Sequence, residues 1–454
     1  MPECRSAARA SLAAALMLFC FAPLAGDRMA SRTLENGMQV LVQEDRRAPV
    51  VVSMVWYRAG SMDEQTGTTG VAHVLEHMMF KGTREVPPGE FSKIVARAGG
   101  RDNAFTNRDY TAYFQQLHKS QLSLVFRLEA DRMRNLLLGE EEFAKEIRVV
   151  MEERRLRTDD QPGSLLYETF MAAAFKAHPY RTPVIGWMPD LQNMTVADAK
   201  AWYERWYTPE NATLVVVGDL DAQAVFDEAA RWFGPIPGRA AVPRKVVEEP
   251  PQRGERRVTL RAAADLPQVL VGWHVPVLRD VEQDWESYAL WVLSSILGGN
   301  DAARLPRALV RQQRVAVSAG ASYDAVNRGP GLFVLSATAA RRDGAAAVEG
   351  ALRAQLQRVA EHGIALEELA RTRAQAIASQ VFQQDSMLGR AMQIGTLNNA
   401  GLPPDSVEIQ VRKLQEVTAE QVQAVARKFF GVDTMTVAVL EPLPSLSQGT
   451  GADE

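Results

Sequence analysis

The feature that most limits how this chain can fold is a duplication of element order. Hydrophobic periodicity predicts strands at 37–43 and 50–57, helices at 70–80 and 89–97, and strands near Asp102 and at 110–116. Helices follow at 120–137, 140–157 and 165–176, Thr195 opens another, and a strand at 214–217 precedes a helix at 222–233. Residues 235–257 are rich in proline and charge and read as a linker. Beyond them the order recurs, with strands at 257–260 and 268–273, helices at 285–297 and 303–312, and strands at 315–323 and 331–337. Helices at 344–361, 366–383, 388–398 and 419–430 and a strand at 435–440 complete the second copy. Short connections between strands, with helices in blocks, predict an α+β fold. The expected architecture is two structurally repeated halves, each a mainly antiparallel sheet covered by helices on one face, forming a clam-like cleft. The expected domains are residues 27–234 and 258–441, with 442–454 a disordered tail.

Composition agrees with two globular halves. A chain of 454 residues exceeds one compact domain, and 46% hydrophobic with 23% charged residues supplies two cores without a disorder signature. A formal net charge of −4 argues against a surface built to neutralise phosphates, so nucleic acid is not an expected partner. Arg5 and Arg9 precede an apolar run from Ala10 to Ala25, which reads as a signal peptide over residues 1–26. The expected location is periplasmic, with a retained membrane anchor as the alternative, although the run is short for a bilayer span. Cys4 and Cys20, the only cysteines, both fall in that leader. The mature chain then has neither a disulfide nor a thiol nucleophile.

The chemistry concentrates in Gly70-Val-Ala-His-Val-Leu-Glu-His-Met-Met-Phe80, where two of six histidines and a glutamate occupy five positions. On a helix, His73 and His77 lie one turn apart on one face, and Glu76 stands beside them. Two neutral imidazoles at that spacing can grip zinc, and an adjacent carboxylate can take a proton from a water. A third ligand must come from another element. The stretch Glu146-Ile-Arg-Val-Val-Met-Glu-Glu153 offers three glutamates, of which Glu146 and Glu153 share a face while Glu152 turns about 100° away. Glu153 and Glu146 become ligand and supporting group. The rest of the second half has no such motif; its equivalent helix reads Ala289-Leu-Trp-Val-Leu-Ser-Ser-Ile296.

The inverted HxxEH motif in the setting Gly70 to Thr83 resembles the pitrilysin/insulinase superfamily, particularly the catalytic β subunit of mitochondrial processing peptidase. The resemblance continues through Gly99-Gly-Arg-Asp-Asn-Ala-Phe-Thr-Asn-Arg-Asp-Tyr-Thr-Ala-Tyr113, Glu146 to Glu153, and His178-Pro-Tyr with Pro183-Val-Ile-Gly186. It implies a zinc-dependent endopeptidase in which His73, His77 and Glu153 bind Zn2+, Glu76 is the general base and Glu146 supports the site. It further implies that the peptide substrate adds as a β-strand along Asn103, Ala104 and Phe105. A non-catalytic assembly or scaffold subunit on the same fold is the alternative.

One departure concerns a donor pair. Active relatives carry an arginine followed seven residues later by a tyrosine in the second half, where this chain has Val310 and Val317. Arg311 or Arg314, with Tyr323, could serve only under a shifted alignment. The resemblance therefore implies a second pitrilysin-like subunit supplying the Arg/Tyr pair, otherwise a homodimer. His178 is expected to order its loop, His118 and His274 stand without partner spacing, and Trp202, Trp206 and Tyr207 are expected in the core.

Overall fold

The computed structural model describes residues 29–443 apart from 241, 242 and 245. The proposed leader over 1–26 and the tail from 444 lie outside the described residues. Among those described, no helix is long and apolar enough to cross a membrane.

The first half comprises β1 (Ala30–Thr33), β2 (Gln39–Glu44), β3 (Val50–Tyr57), α1 (Val71–Met78), α2 (Glu90–Arg97), β4 (Arg101–Thr106), β5 (Thr111–His118), α3 (Leu122–Asn135) and α4 (Glu140–Arg154). It continues through α5 (Pro162–Ala174), α6 (Met188–Asn193), α7 (Val196–Trp206), β6 (Ala212–Gly218) and α8 (Ala222–Phe233). The second half comprises β7 (Arg256–Ala262), β8 (Gln268–Val275), α9 (Trp285–Gly298), β9 (Ala316–Tyr323), β10 (Gly331–Ala339), α10 (Ala345–His362), α11 (Leu366–Asp385), α12 (Met387–Ala400), α13 (Val407–Glu416), α14 (Ala419–Lys428) and β11 (Met435–Pro442).

The duplication extends to hydrogen bonding. The first sheet runs β1-β2-β6-β3-β5-β4 and the second β7-β11-β8-β10-β9. Numbering each half's five shared strands from one to five gives the same permutation, 1-5-2-4-3, with β1 an added edge strand on the first sheet. In both halves the first and last shared strands pair parallel and every other pairing is antiparallel.

Each sheet buries both faces. In the first, alternate residues such as Val51, Val55 and Tyr57 pack under the half's own helices, while Leu41, Val52, Met54 and Trp56 point the other way. Against that second face lies α12, which belongs to the other half and contributes Ala391 and Ile394. The second sheet repeats the arrangement in reverse. Val271, Trp273 and Phe333 face α9, α10 and α14, whereas Val334, Ala438 and Leu440 face Leu166, Phe170 and Met171 of α5, donated by the first half. The expectation of helices on one face is thus extended: the opposite face of each sheet carries a helix from the other half. A run as apolar as Val-Val-Val-Ser-Met-Val-Trp-Tyr in β3 is what a strand covered on both sides requires.

The two exchanged contacts are close. A β-carbon on Gly395 of α12 would lie 2.0 Å from Cε2 of Trp56, and one on Gly272 of β8 would lie 2.4 Å from Cζ of Phe170. Each contact pairs one glycine with one aromatic ring. The junction is further tied by Arg328, whose guanidinium meets Asp63 at 2.9 Å and whose backbone N–H donates to Asp109.

Three elements escaped the sequence reading: β1, α6 and α13. Within 303–312 the chain forms a wide π-helical turn over Pro306–Gln312 rather than a regular α-helix. β7 begins at Arg256, inside the expected linker, and Pro442, expected in the tail, ends β11 opposite Ala262.

Candidate metal centre

The geometry of the site begins with the turn that starts α1. Gly70 adopts φ +90° and Gly186 φ +84°, and each lies against the other's backbone so closely that a β-carbon on either would collide. Side chains then take the place of a conventional helix cap. Glu64 accepts from the N–H groups of Gly70 (2.8 Å) and Ala72 (2.9 Å), and Asp190 accepts from Gly67 and Thr69. Val71, Ala72, Val74, Leu75 and Met78 anchor α1 in the first core, so His73, Glu76 and His77 share the remaining face.

Across from them stands α4. Phe143, Ile147 and Val150 bury one side of it, and the adjoining positions Glu146 and Glu153 turn toward α1. Oε2 of Glu153 lies 3.4 Å from Nε2 of His77 and 3.8 Å from Nε2 of His73. The three candidate ligand atoms all lie within 4.8 Å of one another. Glu152, by contrast, is exposed and pairs with Arg155 at 2.9 Å.

These side chains fit zinc. Ligands 2.0–2.1 Å from a tetrahedral ion are about 3.4 Å apart, close to the two His–Glu separations. Burial is the main reason that the His73 imidazole is pushed down to about 3, which holds it neutral. Two ring nitrogens and a carboxylate oxygen that converge in this way form a donor set suited to a divalent cation. His77 is also correctly oriented, since Nδ1 lies 3.0 Å from Oε1 of Glu146 and, as the donor there, leaves Nε2 free to ligate. Burial lowers the His77 pKa, but this hydrogen bond and the carboxylates around it outweigh burial and raise it overall in the metal-free protein. Lys81, one turn beyond His77, meets the other oxygen of Glu146 at 2.5 Å. Burial of Glu146 is outweighed by these two partners, which hold its carboxyl below the usual range.

Glu76 does not join the cluster of ligand atoms. Its Oε2 accepts from the Thr106 hydroxyl at 2.5 Å, and burial raises its pKa above the ordinary glutamate value. Thr106 ends β4, the edge strand of the first sheet, on which Asn103, Ala104 and Phe105 also lie. Ala104 N–H takes the side-chain oxygen of Asn103 at 2.9 Å, while Phe105 packs edge-on against Trp56.

The second half supplies no donor pair at the positions expected from active relatives. Val310 packs against the second core and Val317 is exposed on β9. Tyr323 donates to the carbonyl of Pro276 at 2.6 Å and stacks on Phe333, and Arg311 donates to the carbonyl of Asp301. None of the other four histidines joins the ligand cluster, and His362 is exposed on α10. His178 is buried, with Nδ1 accepting from the Tyr180 N–H at 3.2 Å; His274 donates to Ala174; and His118 is solvent-exposed beside Ser120. Trp202, Trp206 and Tyr207 are buried in the first core. Sequence reasoning missed Thr106, Lys81 and Arg157, whose guanidinium meets Oε1 of Glu153 at 2.8 Å. Both cations stand four residues beyond a candidate ligand, a spacing that could have flagged them.

Comparison with known proteins finds relatives of both halves. Residues 39–187 match the family described as insulinase (peptidase family M16), and residues 193–376 match the peptidase M16 inactive domain. The zinc protease PqqE of Helicobacter pylori is 39% identical over 64% of this chain and 65% of its own length. An uncharacterised zinc protease of Mycobacterium bovis is 31% identical over 87% of this chain and 89% of its own. A crystallised protease from Helicobacter pylori superposes with a TM-score of 0.87 at 31% identity, covering 92% of this chain and all of that one. The periplasmic protease PqqL from Escherichia coli, at 20% identity, shares the fold with a TM-score of 0.75 over 47% of its length. With a duplicated fold and relatives named as zinc proteases, the chain is a member of peptidase family M16 and takes zinc as its cofactor.

Proposed function

We propose that this chain is a catalytically competent endopeptidase that hydrolyses extended or unfolded peptides, with His73, His77 and Glu153 holding the metal. The observation that carries the reading is the convergence of those three ligand atoms beside Glu76, a half-buried glutamate outside the cluster that is held by the Thr106 hydroxyl. Zinc held there supplies a Lewis acid that polarises the scissile carbonyl and makes water acidic. Glu76 accepts the proton of the attacking water and returns it to the leaving amine; its raised pKa brings donor and acceptor forms closer in energy. Thr106 fixes the carboxylate and, as the end of the edge strand, ties it to the path of the substrate. The free side of β4 offers main-chain groups to any extended chain, so Asn103, Ala104 and Phe105 align the peptide without reading its side chains.

The scaffold alternative is disfavoured because a purely structural subunit has no need for three converging ligand atoms and a half-buried acid beside them. The missing donor pair at Val310 and Val317 supports a second pitrilysin-like subunit that supplies arginine and tyrosine. The N-terminal sequence supports export to the periplasm. The test is metal analysis with peptide cleavage for the wild type and Glu76→Gln. The variant is expected to retain one zinc per chain and lose turnover; a wild-type chain without zinc stoichiometry would overturn the reading. Cleavage at full rate by a demonstrably monomeric preparation would remove the partner subunit.

A further inference from the structure

Beside the ligands lies a cavity of about 510 Å³ whose walls include His73, Thr106, Arg108, Glu153, Arg157 and Tyr167. Its charges do not balance. Of its two carboxylates, Glu168 is held by both terminal nitrogens of Arg154 at 2.8 and 3.0 Å, and Glu153 belongs to the metal centre and to Arg157. Three arginines remain around the space: Arg157, Arg181 and Arg108. Arg157 has Glu153, and Arg181 donates to the carbonyl of Lys176. Arg108 has no ion pair among the described residues, its Nε is buried without a hydrogen-bond partner, and its one side-chain hydrogen bond is a long 3.4 Å contact to the Tyr167 hydroxyl.

Arg108 is nevertheless held in place. It occupies the turn between β4 and β5, where the Asn107 side chain accepts from Asp109 and Tyr110 N–H groups and the Arg108 carbonyl accepts from Met62 N–H at 3.0 Å. Its guanidinium stands 5.8 Å from the Tyr167 ring and 5.7 Å from the Tyr180 ring. A planar cation fixed between two aromatic rings keeps its N–H edge in one orientation, so little entropy is lost when an anion meets it. The position is meaningful because Arg108 follows Thr106 directly past the end of the edge strand. A peptide that leaves β4 near the metal passes this guanidinium.

We propose that Arg108 and the Tyr167 hydroxyl form a carboxylate-binding subsite beside the metal, selecting peptides that present an anionic group next to the scissile bond. The inference rests on the peptidase reading and deepens it to a substrate class. Arg108 offers two donors to the carboxylate, Tyr167 adds a third, and Arg157 and Arg181 contribute positive field at the rim. Either an acidic side chain or the peptide's own C-terminus supplies the shared chemistry.

The test uses zinc-loaded full-length protein and fluorogenic peptides in which a single glutamate is moved through the positions flanking the bond. Each is compared with its glutamine isostere and made with a free or amidated C-terminus. Glutamate at one flanking position is expected to exceed glutamine by about tenfold in kcat/KM, with the ratio falling toward one in Arg108→Met and partly restored in Arg108→Lys. A preference that follows the free terminus rather than the glutamate assigns the subsite to chain ends. Equal rates for all peptides, or a ratio unchanged in Arg108→Met, overturn the proposal. Tyr167→Phe removes only a hydroxyl and reads the same ratio if the arginine variant fails to fold. If the chain alone cleaves no peptide, dependence on the partner subunit accounts for it, and fluorescence anisotropy of the same peptides on Glu76→Gln protein still decides the subsite: unequal affinities support it and equal ones overturn it.

Discussion

The two halves share a strand permutation and differ in one helix. α9 buries nine of its residues, from Ser287 to Leu297, and is apolar nearly all round, whereas α1 buries five and turns His73, Glu76 and His77 toward α4. Packing is satisfied in both. The comparison teaches that this architecture does not need the metal to fold: the second copy reaches the same sheet order with Trp291, Ser294 and Ser295 where the first places His73, Glu76 and His77. The first copy accepts burial of charge and manages it through partners, Glu146 between His77 and Lys81, and Thr106 on Glu76.

The most decisive way to break that contrast is Glu76→Gln. Loss of the proton acceptor is expected to lower kcat by roughly a thousandfold with zinc content and thermal stability unchanged. A variant that keeps turnover would mean that α1 is no more catalytic than α9. A smaller effect is expected for Glu146→Gln, which weakens the orientation of His77. Zinc affinity measured by chelator competition should fall about 10- to 100-fold, and unaltered affinity would make Glu146 a structural acid only.

The exchanged helices sharpen the comparison from the other side. Gly395→Ala and Gly272→Ala each push a methyl group into an aromatic ring, and each should cost about 2 kcal/mol in chemical denaturation. Their effects on chemistry should differ. Gly272 presses on Phe170 of α5, which follows the Glu153 helix through one π-helical turn and lines the cavity, so that variant should also lose kcat/KM. Gly395 presses on Trp56, whose ring supports Phe105 of the substrate strand and not the ligand helices, so that variant should raise KM while kcat per folded molecule is retained. Equal kinetic losses would sink the distinction.

The mildest expected effect is acid sensitivity at the junction. Burial pushes His178 down to about 4, below the ordinary histidine value near 6.5. As pH falls below about 6.5 the unfolded chain takes a proton that the folded chain refuses, so stability is present above that range and declines through it. Between pH 7 and 5 the loss should be on the order of 1–2 kcal/mol, and His178→Gln should flatten the change in Tm. An unchanged slope in that variant would place the acid response elsewhere.

Much of this was legible from the residues. The HxxEH spacing fixed one helix face because a turn of helix repeats every 3.6 residues, and the seven-residue interval from Glu146 to Glu153 fixed another. The duplication was visible because strand and helix periods alternate in the same order twice. Continuous apolar runs such as β3 and β6 are what strands covered on both faces require, yet the sequence reading placed helices on one face only, and nothing in the runs names the covering element. The exchange of α5 and α12 was therefore invisible, since each is an ordinary apolar helix until the other half is in place. Thr106 and Arg108 were hidden for a different reason: their roles come from where a hairpin turn places them in space, and their spacing in the chain carries no period. β1 and α6, of four and six residues, fell below the length at which periodicity can be read, whereas α13 is as long as α14 and was missed for no reason of length.

α5 docks on β7, β8 and β11, and β11 is the last element among the described residues. The strands that cover Leu166, Phe170 and Met171 are made after them, β7 and β8 first and β11, at residues 435–442, last. The helix after the Glu153 segment is thus the last of its half to settle. A nascent chain therefore carries all its candidate ligands before the second-half cover of the helix that lines the neighbouring cavity is complete.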